Sequence, residues 1–143
     1  MCSLWNSRLL ELTESRNTDP CQMGIVFLDL NGLKRVNDQE GHIAGDLLLK
    51  NGAMILKSTF IDDEIYRVGG DEFLVLILKT DEAEMEQRVE EIKKKSGMFE
   101  NVSFSAGCSL FTRRQDVRRA LSEADARMYE DKRRYYSSTG GSR

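Results

Sequence analysis

The chain has 143 residues, 40% hydrophobic and 31% charged, with a formal net charge of −3. Those values fit one domain with a single core and exclude disorder and fibrous repeats. The longest apolar run, Phe73–Leu78, has six residues where a membrane span needs about 20, and a mildly acidic chain lacks the phosphate-neutralising surface of a general nucleic-acid binder.

Residues 1–22 read as a short leader in which Leu4, Leu9 and Leu12 make an amphipathic turn or two, stopped by Asn17, Thr18, Asp19 and Pro20. No basic flank followed by an apolar core stands there, so a secretory signal is not expected. Cys2, Cys21 and Cys108 are odd in number and lack CxxC spacing, which fits reduced thiols of a cytoplasmic protein. Met23–Leu30 (MGIVFLDL) reads as a buried central strand. A polar stretch with Gly32, Asn37, Asp38 and Gly41 follows. Leu49, Ala53, Leu56 and Phe60 then mark one amphipathic helix from about Gly45. Glu64–Val68 and Glu72–Leu78 read as strands of a hairpin around Gly69-Gly70, a pair that accepts positive φ. Asp81–Ser96 is a charged surface helix with Met85, Val89 and Ile92 inward and Lys93–Lys95 at its end, closed by Gly97. Asn101–Phe111 reads as a further strand, and Val117, Leu121, Ala124 and Met128 as the stripe of a last helix from about Asp116 to Arg134. This order implies an α+β fold: a central mixed or antiparallel sheet flanked by helices.

Three places stand out chemically. Asp29 ends a buried strand, where a lone carboxylate is costly; it either caps the next turn or serves a ligand. Asp71 and Glu72 follow the hairpin glycines. If the hairpin packs beside the Asp29 strand, Asp29 and Asp71 converge, and carboxylates completed by phosphate oxygens are what Mg²⁺ prefers. Gly69 and Gly70 would let a phosphate approach the backbone. In the third stretch, Asn37 to Asp46, two roles are open: a helix start capped by His42 with Asp46 in its first turn, or a base-reading pair. In the second, Asn37 and Asp46 meet one base edge, and the Asp46 carboxylate accepts the adjacent N–H donors of guanine, which adenine cannot supply. Lys34 is either an ordinary surface lysine or a phosphate contact.

The set Asp29, Lys34, Asn37-Asp38, Gly41-His42, Gly45-Asp46 and Arg67-Val68-Gly69-Gly70-Asp71-Glu72-Phe73 resembles the GGDEF family of diguanylate cyclases. Val102–Gly107, Ala124-Asp125, Met128-Tyr129 and Lys132 extend the resemblance from about Leu4 to Tyr136. It implies a ferredoxin-like, polymerase-palm-like nucleotide cyclase fold, with a leader over 1–22, a catalytic domain over 23–136 and a disordered tail over 137–143. It implies condensation of two GTP into cyclic di-GMP, with Mg²⁺ or Mn²⁺, at the interface of a transient or signal-driven homodimer without nucleic acid or membrane contact. Asp29, Asp71 and the Leu30 carbonyl would be metal ligands. Asp71 would accept a proton, with Glu72 as second acid and Lys34 supporting catalysis. Asn37 and Asp46 would bind guanine, with His42 in the same segment, and Lys34 and Lys132 would contact phosphate. A catalytically silent GTP-binding module is the alternative.

The pattern departs from the family at four places. Asn31 and Gly32 replace an Asp and an aromatic, which implies a looser loop. Tyr136 stands where many members have a phosphate-contacting Arg, with Arg133 or Arg134 as substitutes. The opening motif survives only as Leu4-Trp5-Asn6. Phe60-Ile61-Asp62-Asp63 replaces an inhibitory Arg-x-x-Asp, so product inhibition there is expected to be absent.

Overall fold

A strand as apolar as MGIVFLDL has to be covered on both faces, and this one is buried along its whole length. The computed structural model describes residues 3–14, 22–98 and 102–138. In it β1 (Met23–Leu30) lies inside a four-stranded sheet with β2 (Glu64–Arg67), β3 (Glu72–Ile77) and β4 (Phe104–Phe111), in the order β2-β3-β1-β4. Every pairing is antiparallel. Between the strands run α2 (Leu33–Glu40), α3 (His42–Thr59) and α4 (Glu82–Ser96); α1 (Ser3–Glu14) precedes them and α5 (Val117–Ser138) ends the described chain. The strands and their connecting helices therefore make the expected βαββαβ, ferredoxin-like arrangement. No helix among the described residues is long and apolar enough to cross a membrane.

Side-chain alternation along the strands divides the core in two. Val26, Leu28, Leu30, Phe73, Val75 and Ile77 pack with Leu48, Ile55 and Leu56 of α3 and with Met85 and Ile92 of α4. Ile25, Phe27, Leu74 and Leu76 pack with Trp5 and Leu12 of α1 and with Val117, Ala120, Ala124 and Met128 of α5.

Local signals account for most boundaries. Asp81 caps α4 by accepting from the Glu84 N–H, and Lys93–Lys95 occupy its last turn. Five segments differ from expectation. The leader is a twelve-residue helix, α1, whose Trp5 and Leu12 enter the core; its expected stop at residues 17–20 lies outside the described residues, as do Cys2 and Cys21. The polar stretch after β1 holds α2, anchored by only two buried side chains, Leu33 and Val36. The next helix begins at His42, not Gly45, after Gly41 turns the chain at φ +95°. The helix expected to end at Arg134 continues to Ser138, so Ser137 and Ser138 belong to α5, while residues 139–143 lie outside the described set. β4 begins at Phe104; Asn101 is not among the described residues, and Val102 and Ser103 precede the strand. Cys108 is a free thiol.

α5 also seals the outer edge of β4. Asp131 accepts from the Ala106 N–H at 2.9 Å, and Arg127 donates to the Cys108 carbonyl at 2.7 Å. β2, by contrast, pairs with β3 alone.

At Gly107 the backbone of β4 lies directly against α5. A Cβ there would lie 2.2 Å from the Met128 nitrogen and 2.3 Å from the Ala124 carbonyl oxygen, backbone atoms that cannot rotate away. Gly107→Ala is therefore expected to destabilise the fold by about 2–3 kcal/mol. Gly70→Ala, where nothing lies within 4 Å of the added carbon, should cost less than about 0.5 kcal/mol. Denaturant unfolding of the two variants checks this, and equal losses would refute the close packing.

Candidate active site

Antiparallel register places Asp29 directly opposite Glu72, and the Leu30 N–H donates to the Asp71 carbonyl at 2.8 Å. The hairpin thus packs beside β1, and three carboxylates gather at the end of the central strand. Asp29 follows Ile25 and Phe27 on the face toward α5, as Glu72 does with Leu74 and Leu76. From α5, Lys132 Nζ donates to Asp29 Oδ2 at 2.9 Å, with Asp29 3% and Lys132 9% exposed. The other oxygen, Asp29 Oδ1, is buried without a hydrogen-bond partner.

Like charges opposite one another in a sheet repel, and burial compounds this. Burial is the largest cause raising the Asp29 pKa to about 6; the Lys132 bond opposes it, while the charges of Asp71 and Glu72 add to it. Glu72 is raised as well, by burial first, then by Asp71 and Asp125, with Lys132 opposing.

Backbone and guanidinium shape the turn. Val68 N–H donates to the Glu72 carbonyl at 3.0 Å. Arg67 donates from Nε to the Gly69 carbonyl at 3.2 Å and from Nη2 to the Gly70 carbonyl at 2.7 Å. The expected positive φ at Gly69 and Gly70 is not found; among the described glycines only Gly32 and Gly41 have it. What the pair supplies is bare backbone, with open space beside Gly70.

The corner after β1 is not loosened by its departures from the family pattern. Asn31 is 3% exposed. Its N–H donates to the Ser103 carbonyl at 2.8 Å, its Nδ2 to Ser103 Oγ at 3.1 Å, and its Oδ1 accepts from Ser105 Oγ at 2.8 Å. A neutral amide both donates and accepts there, whereas a carboxylate only accepts. Gly32, at φ +77°, caps α2, and its N–H donates to Tyr136 Oη at 3.3 Å. Arg133 and Arg134 are exposed on α5, paired with Glu130 and Asp131.

The second group forms where α2 meets α3. A Cβ on Gly45 would fall 1.7 Å from Asn37 Oδ1, so the Asn37 amide lies against the backbone that carries Asp46. Neither structural role considered for this stretch is present: His42 makes no side-chain cap, and no acid stands in the first turn of α3. Lys34, His42 and Asp46 are exposed and form no ion pair with another described residue.

Where the inhibitory motif would lie, Phe60 is 1% exposed within the core. Arg88 Cζ sits 5.8 Å from its ring centroid and donates to Asp63 Oδ2 at 3.1 Å and to the Thr59 carbonyl at 3.0 Å. Asn31, Arg67 as the clamp on the turn, and Asp125 as a neighbour of Glu72 were not foreseen as site residues. Arg67, two residues before the glycine pair, was the most visible of these signals.

Among the described residues, no three His, Cys, Asp or Glu side chains form a metal cluster by themselves. A cation at the end of β1 would draw on Asp29 and Asp71, a backbone carbonyl and oxygens of a ligand. The unpartnered Oδ1 of Asp29 fits that demand.

The family model described as diguanylate cyclase, GGDEF domain, matches residues 3–137. A bifunctional diguanylate cyclase/cyclic di-GMP phosphodiesterase, MucR of Pseudomonas aeruginosa, is 33% identical over 138 residues, 90% of this chain and 20% of that protein. The cyclic di-GMP phosphodiesterase PdeR of Escherichia coli is 41% identical over 71 residues, 49% of this chain and 11% of that protein. The chain thus spans a fifth or less of the length of these two relatives. The crystal structure of the GGDEF domain of YfiN (TpbB) from Pseudomonas aeruginosa superposes with a TM-score of 0.79 at 28% identity, covering 92% of this chain and 89% of that one.

The acid cluster has a pH signature. With its folded pKa raised from 3.8 to about 6, Asp29 binds a proton more readily in the native state than in the unfolded one. The stability this contributes is fully present below pH 3.8 and is lost as pH rises through about 6. In EDTA, the native chain is expected to lose stability relative to Asp29→Asn across that window, measured by denaturant unfolding at several pH values. A gap that stays constant or closes the other way would refute the assignment.

Proposed function

The chain belongs to the GGDEF family of diguanylate cyclase domains, and from that premise we propose that it condenses two GTP into cyclic di-GMP with release of pyrophosphate, two copies meeting with one GTP each. One observation carries the reading: a buried carboxylate, Asp29, has one oxygen unpartnered, opposite Glu72 and beside the turn that carries Asp71. Asp29 through Oδ1, Asp71 and the Leu30 carbonyl would hold a divalent ion, Mg²⁺ or Mn²⁺. When bound, that ion lowers the pKa of the attacking 3′-hydroxyl and offsets the charge developing on pyrophosphate.

The chain's own residues bind, orient and move protons. Asn37 and Asp46 read the guanine edge, with His42 exposed four residues before Asp46 on the same helix. The bare backbone of Gly69 and Gly70 lets a phosphate approach, and Lys34 and Lys132 carry positive charge for it. Asp71 accepts the proton of the 3′-hydroxyl, and Glu72 is the second acid. Most of the catalytic effect is positioning and charge stabilisation, as phosphoryl transfer requires. A second reading, a GTP-binding module without turnover, is favoured by the 41%-identical relative that is named as a phosphodiesterase.

Incubation with GTP and Mg²⁺ over a range of protein concentrations, read by mass spectrometry, is expected to yield cyclic di-GMP with a steeper than linear dependence on protein. GTP binding without product would select the second reading. Asp71→Ala should abolish product while its unfolding free energy stays within about 0.5 kcal/mol of the parent; near-parental activity would remove Asp71 from the mechanism.

Asp46→Ser should weaken GTP binding about 5- to 150-fold, because the guanine N1 and N2 donors lose their acceptors at a cost of about 1–3 kcal/mol. Equal competition by ATP and GTP for the parent would end the guanine assignment. Asp63 is already engaged by Arg88, so cyclic di-GMP is expected not to bind beside Phe60. Calorimetry with the active site filled by a GTP analogue tests this, and micromolar binding lost in Asp63→Ala would contradict it.

A further inference from the structure

Lys132 is a buried cation that already neutralises part of the acid cluster, and it takes only one of the two Asp29 oxygens. Asp29, Glu72 and Asp71 converge where water is excluded from Asp29, so a chain without a bound ion needs a positive charge of its own at that point. We propose that Lys132 is the resident counter-cation of this cluster, standing in for the divalent ion and competing with it for Asp29, and that it swings toward a phosphate once the ion and nucleotide are in place. The proposal rests on the cyclase reading above and adds to it a charge exchange that the reading does not require.

Three features carry it. First, a lysine intended as the final partner of a buried carboxylate would leave no oxygen orphaned, yet Oδ1 has no partner. Second, the residue is a lysine, a point charge on a flexible four-carbon stem that can withdraw, not a guanidinium locked in a fork. Third, Met128, Lys132 and Tyr136 follow at four-residue spacing on α5, and Tyr136 reaches the Gly32 N–H at the same end of β1. A displaced Lys132 ammonium therefore stays at the corner where strand and helix meet.

The test uses Mn²⁺ alone, without nucleotide, with binding read by electron paramagnetic resonance. Removing a unit positive charge beside a divalent ion strengthens its binding, so Lys132→Met is expected to bind Mn²⁺ about tenfold more tightly than the parent. Its unfolding temperature in EDTA should fall, and Mn²⁺ should raise it by more than it raises the parent's. Lys132→Arg, which keeps the charge but holds it in a rigid fork, should bind Mn²⁺ no more tightly than the parent. Unchanged or weaker Mn²⁺ binding by Lys132→Met overturns the proposal. Should that variant not fold, acetylation of Lys132 in the parent, followed by mass spectrometry, replaces it. The rate is expected to rise several-fold on adding Mn²⁺, and a rate insensitive to Mn²⁺ overturns the proposal. None of these readouts involves cyclic di-GMP. A failure here therefore leaves the turnover result standing, and a silent enzyme would still show the exchange.

Discussion

A carboxylate at the end of a strand covered on both faces is the constraint on which this molecule turns. Asp29 cannot reach bulk water, its cross-strand neighbour is another acid, and the hairpin carrying a third is bonded to the next backbone N–H. An apolar residue there would pack at no electrostatic cost. The protein instead keeps the carboxylate and places Lys132 against it, an arrangement held at the expense of stability.

The layers around the sheet serve that site from two directions. On one face α5 lies so close to β4 that only glycine fits at position 107. The same helix carries Lys132 to Asp29 and Tyr136 to the Gly32 N–H. On the other side of the corner, α2 and α3 are drawn together where Asn37 occupies the space that a side chain on Gly45 would need. One helix thus fixes the charged end of the site, and a pair of helices fixes the group assigned to the base. Asn31, tied to Ser103 and Ser105, holds the sheet between them.

Where hydrophobic periodicity was strong, the sequence was sufficient. β1, β3, α4 and most of α5 follow from apolar spacing, and the convergence of Asp29 with Asp71 follows from the hairpin. α2 was hidden because eight residues with two buried anchors give too little periodic signal, and because Asn37, Asp38 and Gly41 look like turn formers. The glycine pair does mark the turn, but without the left-handed dihedrals expected of it. No local pattern announces Lys132 as the partner of Asp29. The two are 103 positions apart, and only the docking of α5 brings them together. The loop expected to be loose is pinned by a side chain that both gives and takes hydrogen bonds, a property visible only once Ser103 and Ser105 are seen across from it.

The sealing of β4 by Asp131 and Arg127 has a consequence for assembly. A sheet with two open edges can add strands from both sides and grow into a filament, whereas here one edge is occupied by the protein's own helix. Among the described residues, β2 is left as the strand edge where a foreign strand can join. Two copies meeting there, edge to edge, would use up the open positions on both and stop, a closed pair instead of a propagating fibre. The same two side chains that finish the sheet thereby limit how far misdirected association can run at the concentrations where encounters between copies are frequent.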